Sequence, residues 1–587
     1  MKPVYRTHTC GELTGKHIGE KVTLAGWIDA RRDHGNLIFL DVRDRWGKTQ
    51  LVFNPDDSRD LHAAAEKLRS EYVVRVEGVV DKRPQGTANP KLSTGEIEVR
   101  VSALELLNAS KTPPFEILDE SDVSEEVRLK YRYLDLRRAP MLKRLGLRHQ
   151  ITQIVRRYFD GHQFIEIETP ILTKSTPEGA RDFLVPSRLS AGCFYALPQS
   201  PQLFKQMLMV AGADRYFQLA RCFRDEDFRA DRQLEHTQID VEMSFVTEED
   251  VMSELEGLLI EIMHKVKGIK LQLPLKRLSY QDAMNTYGSD KPDLRFGVEL
   301  KDVTAILKNT DLKIFQSVIQ AKGVIKGLSI SGQEFSRSDL DHLVTLVKEN
   351  GAQGLAWLKV TAEGLESPIA KLITNEQRKE LVKTFGTKPG DTLFFVADQW
   401  STCVKALGVL RNRLAERLNL ARRDEFKFLW VVDFPLFEWN DEEKRFDSLH
   451  HPFTAPKPED LKYFDSEPLA IHARAYDLVL NGTEIGGGSI RIHQRDVQNQ
   501  VFRALGISQA EVQEKFGFLL DALAYGAPPH GGIALGLDRL CAILAGVDSI
   551  REVIAFPKTQ KGVCLMTEAP SKVYPKQLKE LSIQVKT

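Results

Sequence analysis

The stretch FRDEDFRADRQLEHTQIDVEMSF, residues 223–245, decides how the rest of the chain is read. It follows Arg215-Tyr-Phe-Gln-Leu-Ala, an apolar run with strand character. It packs Arg224, Asp225, Glu226, Asp227, Arg229, Asp231 and Arg232 close together. Ile239, Val241, Met243 and Phe245 then alternate with polar residues, the period-two pattern of a half-buried strand. The reading is a strand, a charged loop and an antiparallel return strand. Arginines at a strand end grip phosphate through bidentate charged hydrogen bonds, and neighbouring carboxylates hold an amino group, a metal or a base. An exposed hairpin with solvated charges has the same signature, so the rest of the chain must decide.

At 587 residues the chain is too long for one core, and several domains are expected. Hydrophobic residues make up 42% and charged residues 28%, with a formal net charge of −1. A nucleic-acid partner would therefore be met by local basic patches rather than by global charge. Six scattered cysteines (Cys10, Cys193, Cys222, Cys403, Cys541, Cys564) form no CxxC pair. That argues against a zinc knuckle or disulfide framework and fits a reducing compartment. The start, MKPVYRTHTCGELTG, has no apolar signal core, and no apolar run is long enough to span a bilayer. A cytoplasmic protein with no membrane partner is expected.

Residues 1–107 read as a small β-domain: strands near 21–28, 36–42 and 49–53, a helix over 58–69, then strands near 72–80 and 96–101. Three strands, a helix and two strands is the order of an OB-fold, which commonly binds oligonucleotides. The first hairpin carries Arg31-Arg32-Asp33-His34-Gly35, then Phe39 and Gln50. Cations meet phosphates, an aromatic face stacks on a base and an amide reads a base edge; Phe39 fits the barrel core equally well. Residues 108–140 read as a hinge, with Thr112-Pro-Pro-Phe and the basic run EVRLKYRYLDLRR, suited to a nucleic-acid backbone or to a solvated linker helix.

From 141 to 285 the first part of a larger domain is expected. A helix over 145–159 leads into a strand at 164–169 stopped by Pro170. Ser200 and Pro201 suit N-cap and N1 of a helix and place Gln202 and Lys205 in its first turns. Residues 286–420 read as an inserted α+β module with an amphipathic helix over 338–350 and strands near 354–360 and 392–396. The larger domain resumes over 421–587. There Asp477 and Glu484 flank a turn on successive strands and could share a hard cation such as Mg²⁺. Gly536-Leu537-Asp538-Arg539 sits at a strand-to-helix junction, where glycine admits a flat ring and the arginine stacks on it or meets its phosphates. His450-His451 does not read as a zinc site, because adjacent residues on a strand point to opposite faces and no third ligand is suggested.

These pieces carry a resemblance. A helix–strand ending at Pro170, Phe223-Arg-Asp-Glu226, and Gly532-Ile-Ala-Leu-Gly536-Leu-Asp-Arg539 resemble motifs 1, 2 and 3 of the class II aminoacyl-tRNA synthetases. GARDF, QSPQLFKQ, TQID, HHPFT, GGGSIRIH and GLDRL resemble, over essentially the whole chain, the bacterial aspartyl-tRNA synthetase family. That resemblance implies an α+β protein with an N-terminal OB-fold for the anticodon, an antiparallel-sheet catalytic domain and an inserted module. It implies that L-aspartate and ATP form aspartyl-adenylate, and that the aspartyl group passes to tRNA. Arg224 and Arg539 would be catalytic. Arg224, Asp225, Glu226, Gln233, Glu484, Gly536, Leu537, Asp538 and Arg539 would bind ATP, and Glu484 with Asp477 would hold Mg²⁺. Glu178, Gln202, Lys205, Arg224, Asp240, His450 and Arg491 would bind aspartate; asparagine would leave the cations Lys205 and Arg491 unpaired. Arg32, Phe39 and Gln50 would meet the anticodon, and His34 and Gly86 would stand at the two positions that bear on discrimination between tRNAs. His34 stands where leucine is typical of strict family members, which implies charging of tRNA(Asn) as well as tRNA(Asp), and with it a link to an amidotransferase. A homodimer through residues 145–170 is also implied. The alternatives are a strict tRNA(Asp) enzyme and a tRNA-binding OB protein with an inactive synthetase body.

Overall fold

The computed structural model describes residues 5–176, 180–226 and 230–586. Two compact units result: Met1–Gly146 with Ile554–Ser571, and Leu147–Val553 with Lys572–Thr587. Among the described residues no helix is long and apolar enough to cross a membrane.

In the first unit five strands close into a barrel in the order Lys21–His34, Leu37–Arg43, Lys48–Phe53, Ile97–Asn108, Val73–Lys82. Helix Arg59–Glu66, capped by the Ser58 side chain, lies between the third and fourth strands in sequence. Val22, Leu24, Ile28, Leu40, Val42, Val74, Val76 and Val99 point inward and share one core. Each such side chain contributes roughly 1.5–3 kcal/mol on burial. A one-residue slip would turn a whole strand's set outward, which fixes the register. The chain has the OB-fold it was expected to have.

The basic run after the barrel is neither a solvated linker helix nor a free cationic face. It breaks at Tyr131 into helices Glu125–Lys130 and Arg132–Asp135. Arg132, Asp135 and Arg138 are buried; Asp135 accepts from Arg132 Nη1 (2.5 Å) and Arg138 Nη1 (2.8 Å). Arg132 also donates to the backbone carbonyls of Ile554 and Ala555. Charge composition alone does not reveal that a central aspartate gathers the arginines inward.

The second unit is built on an eight-stranded sheet in the order Lys276–Ser279, Phe428–Val432, Ala475–Leu480, Thr483–Ile490, His530–Gly536, Glu235–Ser244, Arg215–Phe223, Ile165–Glu166. Its six central strands are antiparallel, and each edge strand pairs parallel to its neighbour. Helix Glu248–Lys267 packs on one face, where Trp430 Nε1 donates to Glu256 Oε1 (3.0 Å). The return strand of the opening hairpin is more deeply placed than alternation suggests: Ile239–Ser244 are buried on both faces. The strand before Pro170 shrinks to Ile165–Glu166, with both residues exposed at the sheet edge.

A separate five-stranded antiparallel sheet holds Lys301–Asp302, Val324–Ile330, Thr392–Asp398, Ala356–Thr361 and Gly364–Glu366, in that order. In Thr392–Asp398, Phe394 and Val396 join a core with helices Arg337–Glu349 and Trp400–Arg417. Leu393, Phe395 and Ala397 join another, with helices Lys313–Gln320 and Asn375–Phe385. Period-two alternation thus serves two helix layers rather than a core and solvent.

Candidate active site

The registers of the eight-stranded sheet line up two rows of side chains. Asp477, Gly487, Ala534, Asp240 and Gln218 stand side by side across five strands. Two residues along, Ala475, Ser489, Gly532, Glu242 and Tyr216 form a second row on the same face. Asp477 and Asp240 flank Gly487 and Ala534, and Glu242 stands beside Gly532, so the middle of the sheet is a low floor bordered by carboxylates. Above it lies a cavity of about 380 Å³, lined by Arg224, Glu226, Gln233, Gln202, Lys205, Asp240, His450, Arg491, Glu484, Gly536, Asp538 and Arg539 among others.

At one end of the floor four charged side chains are almost wholly out of water. Lys205, carried by helix Gln202–Val210, is bonded to Asp240 Oδ1 (2.9 Å) and Glu242 Oε2 (3.4 Å). That helix begins one residue later than expected, with Pro201 at the N-cap and Ser200 Oγ accepting from Gln202 N (3.3 Å). Arg491 reaches Glu242 through Nε (2.9 Å) and Nη2 (3.1 Å). Its Nη1 donates to Ser489 Oγ (2.7 Å) and His451 Nε2 (2.8 Å). Lys205 and Arg491 are therefore already paired, which corrects the expectation of two cations waiting for a substrate anion. Each retains capacity: Lys205 has three donors and Arg491 five. Burial opposes the charge of Glu242, yet Arg491 and Lys205 hold its carboxyl below the usual range. For Asp240 burial wins and raises it. Its Oδ2 is buried with no hydrogen-bond partner among the described residues, an acceptor aimed at nothing the protein supplies.

His450 and His451 both line the cavity. They follow strand Arg445–Ser448 in a bend rather than a strand, so the expectation of opposite faces fails. His450 Nε2 meets Asp477 Oδ1 at 3.1 Å. Burial works against its proton, but the Asp477 carboxylate raises its pKa above the ordinary imidazole value. Burial and Arg491 push His451 well below it. Arg491 only donates, so His451 Nε2 accepts from it, while Nδ1 lies against Phe453 N (3.2 Å) and Thr454 Oγ1 (3.3 Å).

Strand Thr483–Ile490 carries an extra residue at Ile485: Leu478 pairs with Gly486, but Val479 pairs with Glu484. This bulge lets Glu484 and Gly487, three residues apart, face the same space. A Cβ on Gly487 would lie 2.9 Å from Asp477 Oδ1 and 3.6 Å from Glu484 Oε1. Two oxygen donors converging on a gap that only glycine leaves open fit a hard divalent cation. Burial, and then Asp477, raise the Glu484 carboxyl above its usual range, the sign of a site short of positive charge.

At the other end, Arg224 stands just beyond strand Arg215–Phe223. Its Nε donates weakly to Gln199 O (3.4 Å), and its Nη groups meet no partner among the described residues. Arg539 Nη1 donates to Glu484 O (3.0 Å) and Nη2 to Asp231 Oδ2 (3.2 Å). Glu226 accepts from Arg232 (2.5 Å). His236 lies between these arginines; burial, then Arg224, Arg539 and Arg221, lower its pKa to about 3, so a neutral flat ring faces the cavity.

Several expected site residues are placed elsewhere. Leu537 is core, 1% exposed, because the first turn of helix Leu537–Ala545 faces inward. Asp538 touches the cavity, but its oxygens are taken by Arg148 and by Thr237 N (2.8 Å). Asp225 forms a backbone bridge with Arg181 and stays outside the cavity lining. Asp477 lies behind the lining and acts through His450 and the Gly487 gap. Glu178 lies outside the described residues; beyond it, Ala180 is held by Gln199 through N–H (3.0 Å) and C=O (2.8 Å) bonds. Glu242, His451, His236 and Gly487 were missed. For Glu242 the signal was present: it stands two residues after Asp240, hence on the same face.

On the barrel, Arg32 lies bidentate on Asp41 (2.6 and 2.8 Å) and touches Gln50 Oε1 (3.3 Å). Gln50 Nε2 donates to Glu98 Oε2 (2.8 Å). Arg32 is therefore no free phosphate-binding cation. Phe39 is half-buried and His34 is exposed. Gly86 has φ +84° with open space where a Cβ would be.

Comparison with known proteins gives the same picture. The family described as tRNA synthetases class II (D, K and N) matches residues 124–560, and the OB-fold nucleic acid binding domain matches residues 22–107. The chain is 55% identical over 583 residues to the aspartate–tRNA(Asp/Asn) ligase of Desulfatibacillum aliphaticivorans, covering 99% of this chain and 98% of that one. It is 55% identical over 584 residues to the aspartate–tRNA ligase of Bacillus licheniformis, covering 99% of each. Its fold is similar to the crystal structure of asparaginyl-tRNA synthetase from Pyrococcus horikoshii complexed with asparaginyl-adenylate (TM-score 0.59, 19% identity, 98% of this chain and 100% of that one). The chain belongs to the class II tRNA synthetases of the D, K and N group.

Proposed function

We propose that the chain is an aspartate–tRNA ligase that activates L-aspartate with ATP and charges both tRNA(Asp) and tRNA(Asn). The observation that carries this reading is the buried end of the cavity, where Lys205 and Arg491 lie beside Asp240 Oδ2, which has no hydrogen-bond partner among the described residues. An amino acid with an anionic side chain gives the cations' remaining donors an acceptor, and its ammonium gives Asp240 a donor. Gln202, at the start of the same helix as Lys205, adds a polar group for the ammonium side; Glu178 and His450 complete the set.

The α-carboxylate oxygen of aspartate attacks the α-phosphorus of ATP, and the bond to the β-phosphate oxygen breaks to release pyrophosphate. Arg224, whose guanidinium Nη groups meet no partner among the described residues, neutralises the α-phosphate and the attacking carboxylate together. Arg539 faces the remaining phosphates. Glu226 and Gln233 hold the nucleotide with Gly536, and the neutral ring of His236 offers its face to the base. Glu484 and Asp477 would hold Mg²⁺, which supplies charge neutralisation to the phosphates when bound. The terminal ribose hydroxyl of tRNA then attacks the acyl carbon, and AMP departs. Positioning and charge carry both steps, with no protein nucleophile.

On the barrel, Phe39 and the Arg32–Gln50 network meet the anticodon, and His34 with Gly86 sets tolerance for its third position. Residues 286–420 serve as an inserted module of structural role. Exposed Ile165, Ile171 and Leu172 at the sheet edge support a homodimer. The setting is cytoplasmic, and charged tRNA(Asn) would pass to an amidotransferase. Side-by-side charging of the two tRNA transcripts tests the reading. Comparable rates support it; strong preference for tRNA(Asp) reduces the enzyme to the strict form, and no aspartate-dependent ATP–pyrophosphate exchange removes it. His34→Leu should narrow charging toward tRNA(Asp).

A further inference from the structure

We propose that His8, His17 and Glu20 form a site for one divalent transition-metal ion, zinc by its donor set, which clasps the segment before the barrel's first strand. Among the described residues this is the sole group of three or more histidine, cysteine or acidic side chains able to bring one donor atom each within 4.8 Å of the others. Two imidazoles and a carboxylate, with water in a fourth position, are a set that zinc accepts. Bond lengths of about 2.0–2.2 Å require the donors to close by roughly 1–2 Å, which partly exposed side chains do by rotating.

The backbone under all three is fixed. Thr7, next to His8, is paired with Thr23 through Thr7 N to Thr23 O and Thr23 N to Thr7 Oγ1 (2.9 Å each). His17 closes the short helix Gly15–His17. Glu20 N donates to His17 O (2.9 Å), and Glu20 O accepts from Val80 N (3.0 Å). The two rings are arranged edge to face, 5.4 Å between centroids. Every hydrogen bond to them among the described residues runs to Nδ1: Thr7 Oγ1 to His8 (3.0 Å), and Thr14 N, Oγ1 and O to His17 (3.0, 3.3 and 3.3 Å). That leaves Nε2 of each ring for a metal. Thr14 N donates to His17 Nδ1 and Thr14 O lies beside it; a metal at Nε2 puts the ring's proton on Nδ1, where Thr14 O accepts it and the contact from Thr14 N is given up. Cys10 contributes nothing, being fully buried with Sγ turned to Ala25 O.

The test strips the full chain with a chelator and titrates Zn²⁺ in saturating Mg²⁺, following heat of binding and Tm. The expected result is saturable uptake with a rise in Tm, weakened by at least about tenfold in His8→Ala and His17→Ala, the scale seen when even an outer partner of a ligand is lost. Co²⁺ in place of Zn²⁺ should give a visible absorption band that both variants lose. Because His17→Ala also removes a contact to Thr14, Glu20→Gln is the decisive variant: only its side chain changes, and its backbone bonds remain. No saturable uptake by the wild type overturns the proposal. So does uptake unchanged in His8→Ala and Glu20→Gln, which would put the metal elsewhere.

Discussion

The eight-stranded sheet and the N-terminal barrel both set arginines on carboxylates, in opposite surroundings. In the sheet, Arg491 and Glu242 are 2% and 0% exposed at their side chains. On the barrel, Arg32 opposite Asp41 is half in water, 50% against 11%. Both pairs are bidentate. A solvated pair is worth little, because water competes for each charge and salt screens both. A buried pair is costly to assemble and far more costly to break, since removing one partner strands the other. The sheet therefore holds its charges in a fixed, water-excluded arrangement, while the barrel's pair is open to competition from water and solutes.

The largest break in that contrast should come from Arg491→Leu or Lys205→Leu. Loss of a buried charged contact to the substrate, roughly 2–5 kcal/mol, corresponds to a fall in aspartate-dependent ATP–pyrophosphate exchange of about two to three orders of magnitude, with tRNA affinity in filter binding near normal. Normal exchange in either variant would sink the pocket assignment. Glu242→Gln should lower stability by about 3 kcal/mol, read as a shift in the urea midpoint. Pairing it with Arg491→Leu should recover part of that loss, because no buried charge is then stranded. Arg224→Gln should reduce kcat for adenylate formation by about 100–1,000-fold while leaving the melting curve in place.

A smaller effect follows from His450. Its folded pKa is raised above the free value of about 6.5. The stability it contributes is fully present below that value and is lost as pH rises through the raised one. The stability difference between wild type and His450→Gln should therefore shrink from pH 6 to pH 9; a difference that grows would reverse the assignment of its partner. Smallest of all, Asp41→Asn should change stability by less than about 1 kcal/mol, and raised salt should erase the change.

Much of the fold was legible because apolar periodicity reports which residues share a face. The barrel strands, helix Arg337–Glu349 and the strand pair Arg215–Phe223 with Glu235–Ser244 all follow from it. What periodicity does not report is the cover over a face. Asp240 and Glu242 alternate with Ile239, Val241 and Met243, so they read as the wet side of a strand, yet Lys205 and Arg491 close over them. The bulge at Ile485 was invisible for a related reason: one extra residue just before Gly486-Gly-Gly changes which side Glu484 faces, and no residue type marks it. The site before the barrel's first strand, His8, His17 and Glu20, escaped because its spacing matches no zinc motif and its convergence depends on a turn.

Gly487 leaves open a space that Asp477 and Glu484 share. Alanine there would act as a tethered inhibitor: its methyl would sit against both carboxylates at an effective concentration no free ligand could rival. An antagonist of this enzyme is thus one carbon atom away in its own sequence, and glycine at this position is a standing exclusion of self-occupancy.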